Sequence, residues 1–142
     1  MRYLLDTCAL IWLGMGGGDL SADARRRISV ASALHYSPIS AWEIARLMKE
    51  GKVLIPNDAE GFVADLKEQY GLAAVPPTDD IMIRAAQLPD FHKDPADRII
   101  IATSLANDLT VVTGDGKFSQ SGVRTICCAM AHPAASAANE GN

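Results

Sequence analysis

Asp94-Pro95-Ala96-Asp97-Arg98-Ile99-Ile100-Ile101-Ala102-Thr103 is followed, after a short polar stretch, by Thr110-Val111-Val112-Thr113-Gly114-Asp115. The first segment carries a helix start. Asp94 suits the N-cap, Pro95 the first helical position and Asp97 the first turn, where acids are favoured. A helix is therefore predicted from Asp94 to about Asn107. The second segment is a short apolar run closed by a Gly/Asp turn, and Thr110 to Thr113 is predicted as a strand.

The same alternation extends in both directions. Arg2 to Leu5 reads as a short buried strand and Cys8 to Leu13 as a short helix. Gly14 to Gly18 is a flexible loop. Ser21 caps a helix to about Ala33, and Leu34 to Ser37 is a strand stopped by Pro38. Ser40 opens a helix to about Glu50, with Ile44, Leu47 and Met48 on one face and Gly51 at its end. Asn57 or Asp58 opens another to Tyr70, with Phe62, Val63, Leu66 and Tyr70 inward, ended by Gly71. Ala73 to Val75 is a weak strand. Thr78 or Asp79 caps a helix to Leu88, and Arg124 to Cys128 is the last strand.

Strands that are short apolar runs, alternating with helices, predict a parallel sheet buried on both faces. The fold class is α/β: a three-layer α/β/α sandwich with a short-stranded, mostly parallel central sheet and right-handed crossovers. A chain of 142 residues has the size of one domain, read here as residues 1–131. Residues 132–142 are small and polar and are expected to be a disordered tail.

Composition narrows the function classes. Apolar residues make up 49% and charged residues 21%, the balance of a soluble globular protein. Cys8 to Leu13 and Ile99 to Ala102, the longest apolar stretches, are too short to span a bilayer. Only three apolar residues separate Arg2 from Asp6, so no signal peptide and a cytoplasmic location are expected. Cys8, Cys127 and Cys128 form no CxxC or zinc spacing and read as buried thiols in a reducing compartment. The net charge of -4 argues weakly against a general nucleic-acid binder. Two bound divalent cations would cancel it, so a nucleic-acid substrate is not excluded.

Four acids stand at the edges of apolar segments: Asp6, Glu43, Asp97 and Asp115. Acids beside buried segments are costly unless something pairs with them. If the fold brings these four together, the natural partner is a hard divalent cation. Open parallel sheets bind ligands beyond the carboxyl ends of their strands, where Asp6 and Asp115 lie. Each acid also has a plainer reading. Ser40-Ala41-Trp42-Glu43 fits a capping box, Asp97 suits the third position of its helix, and Asp115 suits a Gly-rich turn. The readings are compatible, because helix starts face the same crevice as the preceding strand ends.

The motifs Leu4-Leu5-Asp6-Thr7, Ser40-Ala41-Trp42-Glu43-Ile44, His92 to Thr103 and Val111 to Phe118 resemble those of the PIN-domain nucleases. Within them the chain resembles the VapC-type toxins of bacterial toxin–antitoxin pairs. The resemblance runs from residue 2 to about 128, with the motifs in the family's order. It implies a metal-dependent endoribonuclease in which Asp6, Glu43, Asp97 and Asp115 bind Mg²⁺ or Mn²⁺ and cut RNA to 3′-hydroxyl and 5′-phosphate ends. Asp6 and Asp97 would be the principal ligands. Glu43 and Asp115 would complete the site or hold a second ion. Thr7, Ser40 and Thr113 would orient ligands or water, and Arg98 would contact phosphate or brace the carboxylates. Gly114 departs from the family, where a larger or charged residue is common; no effect on chemistry is expected. The implied partners are RNA, an antitoxin across Trp42, Leu47 and Met48, and a second copy in a homodimer or toxin–antitoxin hetero-oligomer, with no membrane.

Other features read plainly. Asp19 stands where a GxGxxG loop would need glycine. Arg25-Arg26-Arg27 fan around a helix. His35, His92 and His132 show no ligand spacing. The rival class is a catalytically silent module of the same fold that binds RNA or an antitoxin. A phosphatase using Asp6 as covalent acceptor would want an acid at position 8, which is Cys8. A phospho-receiver domain would want a second early acid.

Overall fold

The computed structural model describes residues 1–90, 93–115, 118 and 121–129. His92, Gly116, Lys117, His132 and the tail 132–142 named above lie outside the described residues. The elements in chain order are β1 (Arg2–Leu5), α1 (Thr7–Gly14), α2 (Ala22–Ser29), β2 (Ala33–Tyr36), α3 (Pro38–Lys49), α4 (Ala59–Tyr70), β3 (Ala73–Ala74), α5 (Asp79–Gln87), α6 (Pro95–Asn107), β4 (Thr110–Thr113) and β5 (Thr125–Cys127).

The strands form one sheet in the order β3-β2-β1-β4-β5. All four pairs are parallel, with Leu4 opposite His35 on one side and Val111 on the other. The chain builds outward from β1 to β3, then crosses back to add β4 and β5. The order therefore reverses between β1 and β4, and a crevice forms there at the strand carboxyl ends.

Side chains alternate across the sheet. Tyr3 and Leu5 of β1 face a core made with α1, α2, α4 and Ile44 of α3. Leu4, between them, faces a second core with Ile100, Ile101, Val111 and Phe118. Ile81, Ala85, Ile99 and Ala102 join α5 to α6 on that side. Ile39 packs on this second side and Ile44 on the first, so α3 bridges the layers. The expected three-layer α/β/α sandwich is what forms. Among the described residues no helix is long and apolar enough to cross a membrane.

Local starts and stops mostly follow the sequence signals. Ser21 Oγ accepts from the Ala24 amide at 3.0 Å, and Asp58 Oδ1 from the Gly61 amide at 2.7 Å. Gly71 closes α4 at φ 63°, a left-handed cap that glycine adopts without a Cβ clash. Two boundaries differ from expectation by more than one residue. The second helix stops at Ser29 rather than about Ala33, because Ala33 is taken into β2 opposite Arg2 and the Ser32 amide bonds Met1 O. The third helix starts at Pro38, not Ser40. Pro38 does not merely end the strand: it occupies the first helical turn, where no amide donor is required. Ser37 is the N-cap, its hydroxyl accepting from the Ile39 amide at 3.2 Å.

Candidate metal centre and cleft

Asp6 follows β1 and caps α1. Its amide bonds Val112 O at 3.1 Å, which ties it to β4, and its carboxylate accepts from the Ala9 amide at 2.8 Å. It is 4% exposed. Burial pushes its pKa up to about 6; hydrogen bonds from Thr113 and Ala9 pull down, and Asp115 and Glu43 push further up.

Glu43 is no capping-box residue. With α3 starting at Pro38, it lies in the second turn and cannot reach back to the N-cap. Thr7 Oγ1 is hydrogen-bonded to its Oε1 at 2.6 Å and to Ser40 Oγ at 2.9 Å. Arg46, one turn on, stands 3.7 Å from Oε2. Ser40 is thus a fully buried link in a hydroxyl chain, not a cap.

Asp97 lies in the first turn of α6, where Asp94 Oδ1 accepts from the Ala96 amide at 2.9 Å and the Asp97 amide at 3.4 Å. The helix-start reading of this segment is the one that forms. Burial pushes the Asp97 pKa up to about 8, and the charges of Asp94, Asp6, Glu43 and Asp115 add to the shift. Asp115 follows β4, its amide donating to Thr113 Oγ1 at 2.9 Å. Thr113 therefore serves two acids, as a partner of the Asp6 carboxylate and an acceptor for the Asp115 amide.

All four acids line one cleft of about 360 Å³, together with Thr7, Cys8, Ile11, Trp12, Leu47, Val53 and Asp94. The cleft lies at the β1/β4 reversal. As the side chains stand, no three His, Cys, Asp or Glu among the described residues are placed to hold an ion together. The fit to a cation rests on donor chemistry: four carboxylates, no Cys/His cluster among the described residues, and two acids, Asp6 and Asp97, whose pKa values burial and the neighbouring acids push up. That set suits Mg²⁺ or Mn²⁺ better than a soft metal.

Arg98 is placed differently from the sequence expectation. Its guanidinium donates to the main-chain carbonyls of Ala85, Ala86, Leu88 and Pro89, at 3.0, 3.2, 2.5 and 3.1 Å. It satisfies the otherwise open carbonyl end of α5, and its work is to fix α5 against α6. Cys8, Trp12 and Asp94 escaped the sequence reading as cleft residues. The signal was present for two of them, because Cys8 and Trp12 are one helical turn apart on the helix that Asp6 caps. Burial pushes the Cys8 thiol up to about 12, with Asp6 and Asp19 adding to the shift.

A sequence model of the family described as PIN domain matches residues 3–123. Ribonuclease VapC22 of Mycobacterium tuberculosis is 29% identical over 113 residues, covering 79% of this chain and 85% of the relative. Among solved structures, VapBC2 from Rickettsia felis bound to a promoter DNA fragment aligns with a TM-score of 0.69 at 14% identity, over 90% of this chain and 99% of that one. Mycobacterium tuberculosis VapC20, described as a sarcin-ricin loop cleaving toxin, aligns with a TM-score of 0.61 at 18% identity, over 85% and 95%. At such identities the solved structures speak to the fold.

Proposed function

The chain belongs to the PIN domain family, and from that premise we propose that it is a VapC-type endoribonuclease, the toxin of a toxin–antitoxin pair. It hydrolyses RNA phosphodiesters with one or two Mg²⁺ or Mn²⁺ ions held by Asp6, Glu43, Asp97 and Asp115. The observation that carries this reading is the arrival of four acids, from four separate segments, in one cleft at the strand ends. The likeness to a protein named as a ribonuclease supports the substrate class.

A bound cation in this site supplies charge neutralisation at the phosphate and a water of lowered pKa. The chain's own residues set the stage. Thr113 and the Ala9 amide orient Asp6, Thr7 and Arg46 hold Glu43 from two sides, and the start of α6 carries Asp97 to the cleft. Burial, with Asp6 and Asp19 adding to it, raises the Cys8 thiol and disfavours the thiolate that a cysteine nucleophile needs. Hydrolysis by activated water needs no covalent intermediate.

The partner is an antitoxin, as in the relatives named VapBC. An apolar strip fits such a partner: Trp42 is 58% and Leu54 82% exposed, while Leu47 and Val53 line the cleft itself. Homodimer assembly and a cytoplasmic location complete the reading.

The deciding experiment is cleavage-site mapping on total cellular RNA with Mg²⁺ or Mn²⁺, against Asp6→Ala and chelator controls. Cuts that need metal and Asp6 and leave 5′-phosphates are expected. Equal cutting in chelator sinks the metal-dependent mechanism. The silent binding module draws on the absence of a preformed ion cage among the described residues. Calorimetry that finds no Mn²⁺ binding, together with no cleavage, favours it.

A further inference from the structure

Trp12 has no part in the chemistry above, yet it lines the cleft with all four acids. Its position is fixed from both ends. At its root, Cys8, Ile11 and Trp12 recur on one face of α1, the helix whose N-cap is Asp6. At its tip, the indole lies over Gly114. A Cβ at position 114 would stand 2.9 Å from Cη2 and 3.1 Å from Cζ3 of Trp12. Gly114 is not among the glycines with positive φ, so its backbone does not call for glycine. The indole does. The ring therefore reaches from α1 to the loop that carries Asp115, the residue after Gly114.

Core packing alone does not account for this ring. Part of it packs on the α1–α4 core, but it stays half-buried and open to the cleft. With Ile11, Leu47 and Val53 it makes the apolar part of a cleft whose remaining lining is largely carboxylate. A nucleotide has the matching two-part chemistry, a charged phosphate and a flat, apolar-faced base. The geometry points to Trp12 as a substrate-positioning residue: its indole is the stacking platform for the nucleobase beside the cleaved phosphate, and Gly114 is the glycine that makes room for it. This rests on the ribonuclease reading. Because every base has a π-face, such a platform gives affinity across sequences rather than a code.

Two measurements test it. The chain has two tryptophans, so Trp42→Phe leaves Trp12 as the sole indole reporter. In an Asp97→Asn, Trp42→Phe protein with Mg²⁺, a short single-stranded RNA is expected to quench the fluorescence. The same oligomer with abasic positions is expected to bind on the order of tenfold more weakly without quenching. Equal affinity and equal quenching by the two oligomers overturn the inference. In steady-state cleavage, Trp12→Leu is expected to raise KM on the order of tenfold with little change in kcat. Trp12→Phe should keep most of the affinity, and Gly114→Ala, which displaces the ring tip without touching a carboxylate, should fall between. An unchanged KM in Trp12→Leu counts against the platform. If Trp12→Leu fails to fold, Gly114→Ala and the fluorescence titration decide. A wild-type protein that cleaves no RNA refutes the ribonuclease reading, while the titration still decides the base contact. A wild type that cleaves, with Trp12→Leu unaffected, refutes this inference alone.

Discussion

The starts of α3 and α6 are built on one frame and place their acids in different surroundings. Each has an N-cap, a proline at the first helical position and a polar residue two further on: Ser37-Pro38-Ile39-Ser40 and Asp94-Pro95-Ala96-Asp97. In α6 the acid is that first-turn residue. Burial pushes its pKa up to about 8, and the charges of Asp94, Asp6, Glu43 and Asp115 add to the shift. In α3 the first-turn residue is a buried serine, and the acid Glu43 comes one turn later, with the Thr7 hydroxyl on one oxygen and Arg46 near the other. A carboxylate's place in a helix start does not decide its electrostatic environment. The groups that other segments bring to it decide that.

Asp97→Asn is the largest test of this contrast. Cleavage in Mg²⁺ is expected to fall on the order of a hundredfold or more, because a charged ligand at the reacting phosphate is lost. The same variant, metal-free, should unfold at equal or higher urea concentration, since it removes a charge that burial disfavours. Undiminished metal-stimulated cleavage would remove Asp97 from the site. Glu43→Ala should behave oppositely in the metal-free protein. It strips the Thr7–Ser40 hydroxyls and Arg46 of a shared acceptor, at about 1–3 kcal/mol by urea denaturation. If both variants move the midpoint the same way, the contrast between the two helix starts is wrong. Ser37→Ala should cost about 1 kcal/mol as a lost N-cap; no loss would return the start of α3 towards Ser40.

The pH dependence follows from the two raised acids. Asp6 and Asp97 bind protons more tightly folded than unfolded, so their contribution is fully present below the ordinary carboxylate pKa of about 4. It is lost as pH rises through about 6 for Asp6 and about 8 for Asp97. The metal-free protein should therefore melt at a lower temperature at pH 8.5 than at pH 5. Asp97 is only half-buried, so solvent screening keeps the effect small. Mg²⁺ or Mn²⁺ should raise the melting temperature more at pH 8.5 than at pH 5. A melting temperature that rises from pH 5 to 8.5 without metal contradicts the raised pKa values of Asp6 and Asp97.

Much of the fold was legible because its signals are local. Asp94-Pro95 fixed a helix start, Gly71 a helix end, and the uninterrupted apolar runs Tyr3-Leu4-Leu5 and Val111-Val112 marked strands buried on both faces. The errors fell where local signals compete. Pro38 follows a strand and precedes a helix, and both uses of proline are locally sound. Packing chose the helix, with Ser37 as cap and Ser40 turned inward to Thr7. Ala33 has helical propensity, but Arg2 claims it for the sheet. Arg98 reads in sequence as a phosphate contact or a brace for the neighbouring carboxylates, and its guanidinium donates to the carbonyl end of α5. Nothing in the sequence near Arg98 names α5 as its partner.

The sequence by itself determined the alternation of elements, the caps of α2 and α6, those of α4 and α5 to within one residue, and the identity of four acids at strand ends and on helices. These depend on backbone chemistry and hydrophobic period within a few residues. Only the tertiary structure decided which groups surround each acid, and that Trp12 lies over Gly114 in the lining of the cleft. Those outcomes depend on groups over thirty residues apart in sequence, such as Thr7 and Glu43. The sheet order brings such groups together between β1 and β4, and no local propensity encodes that.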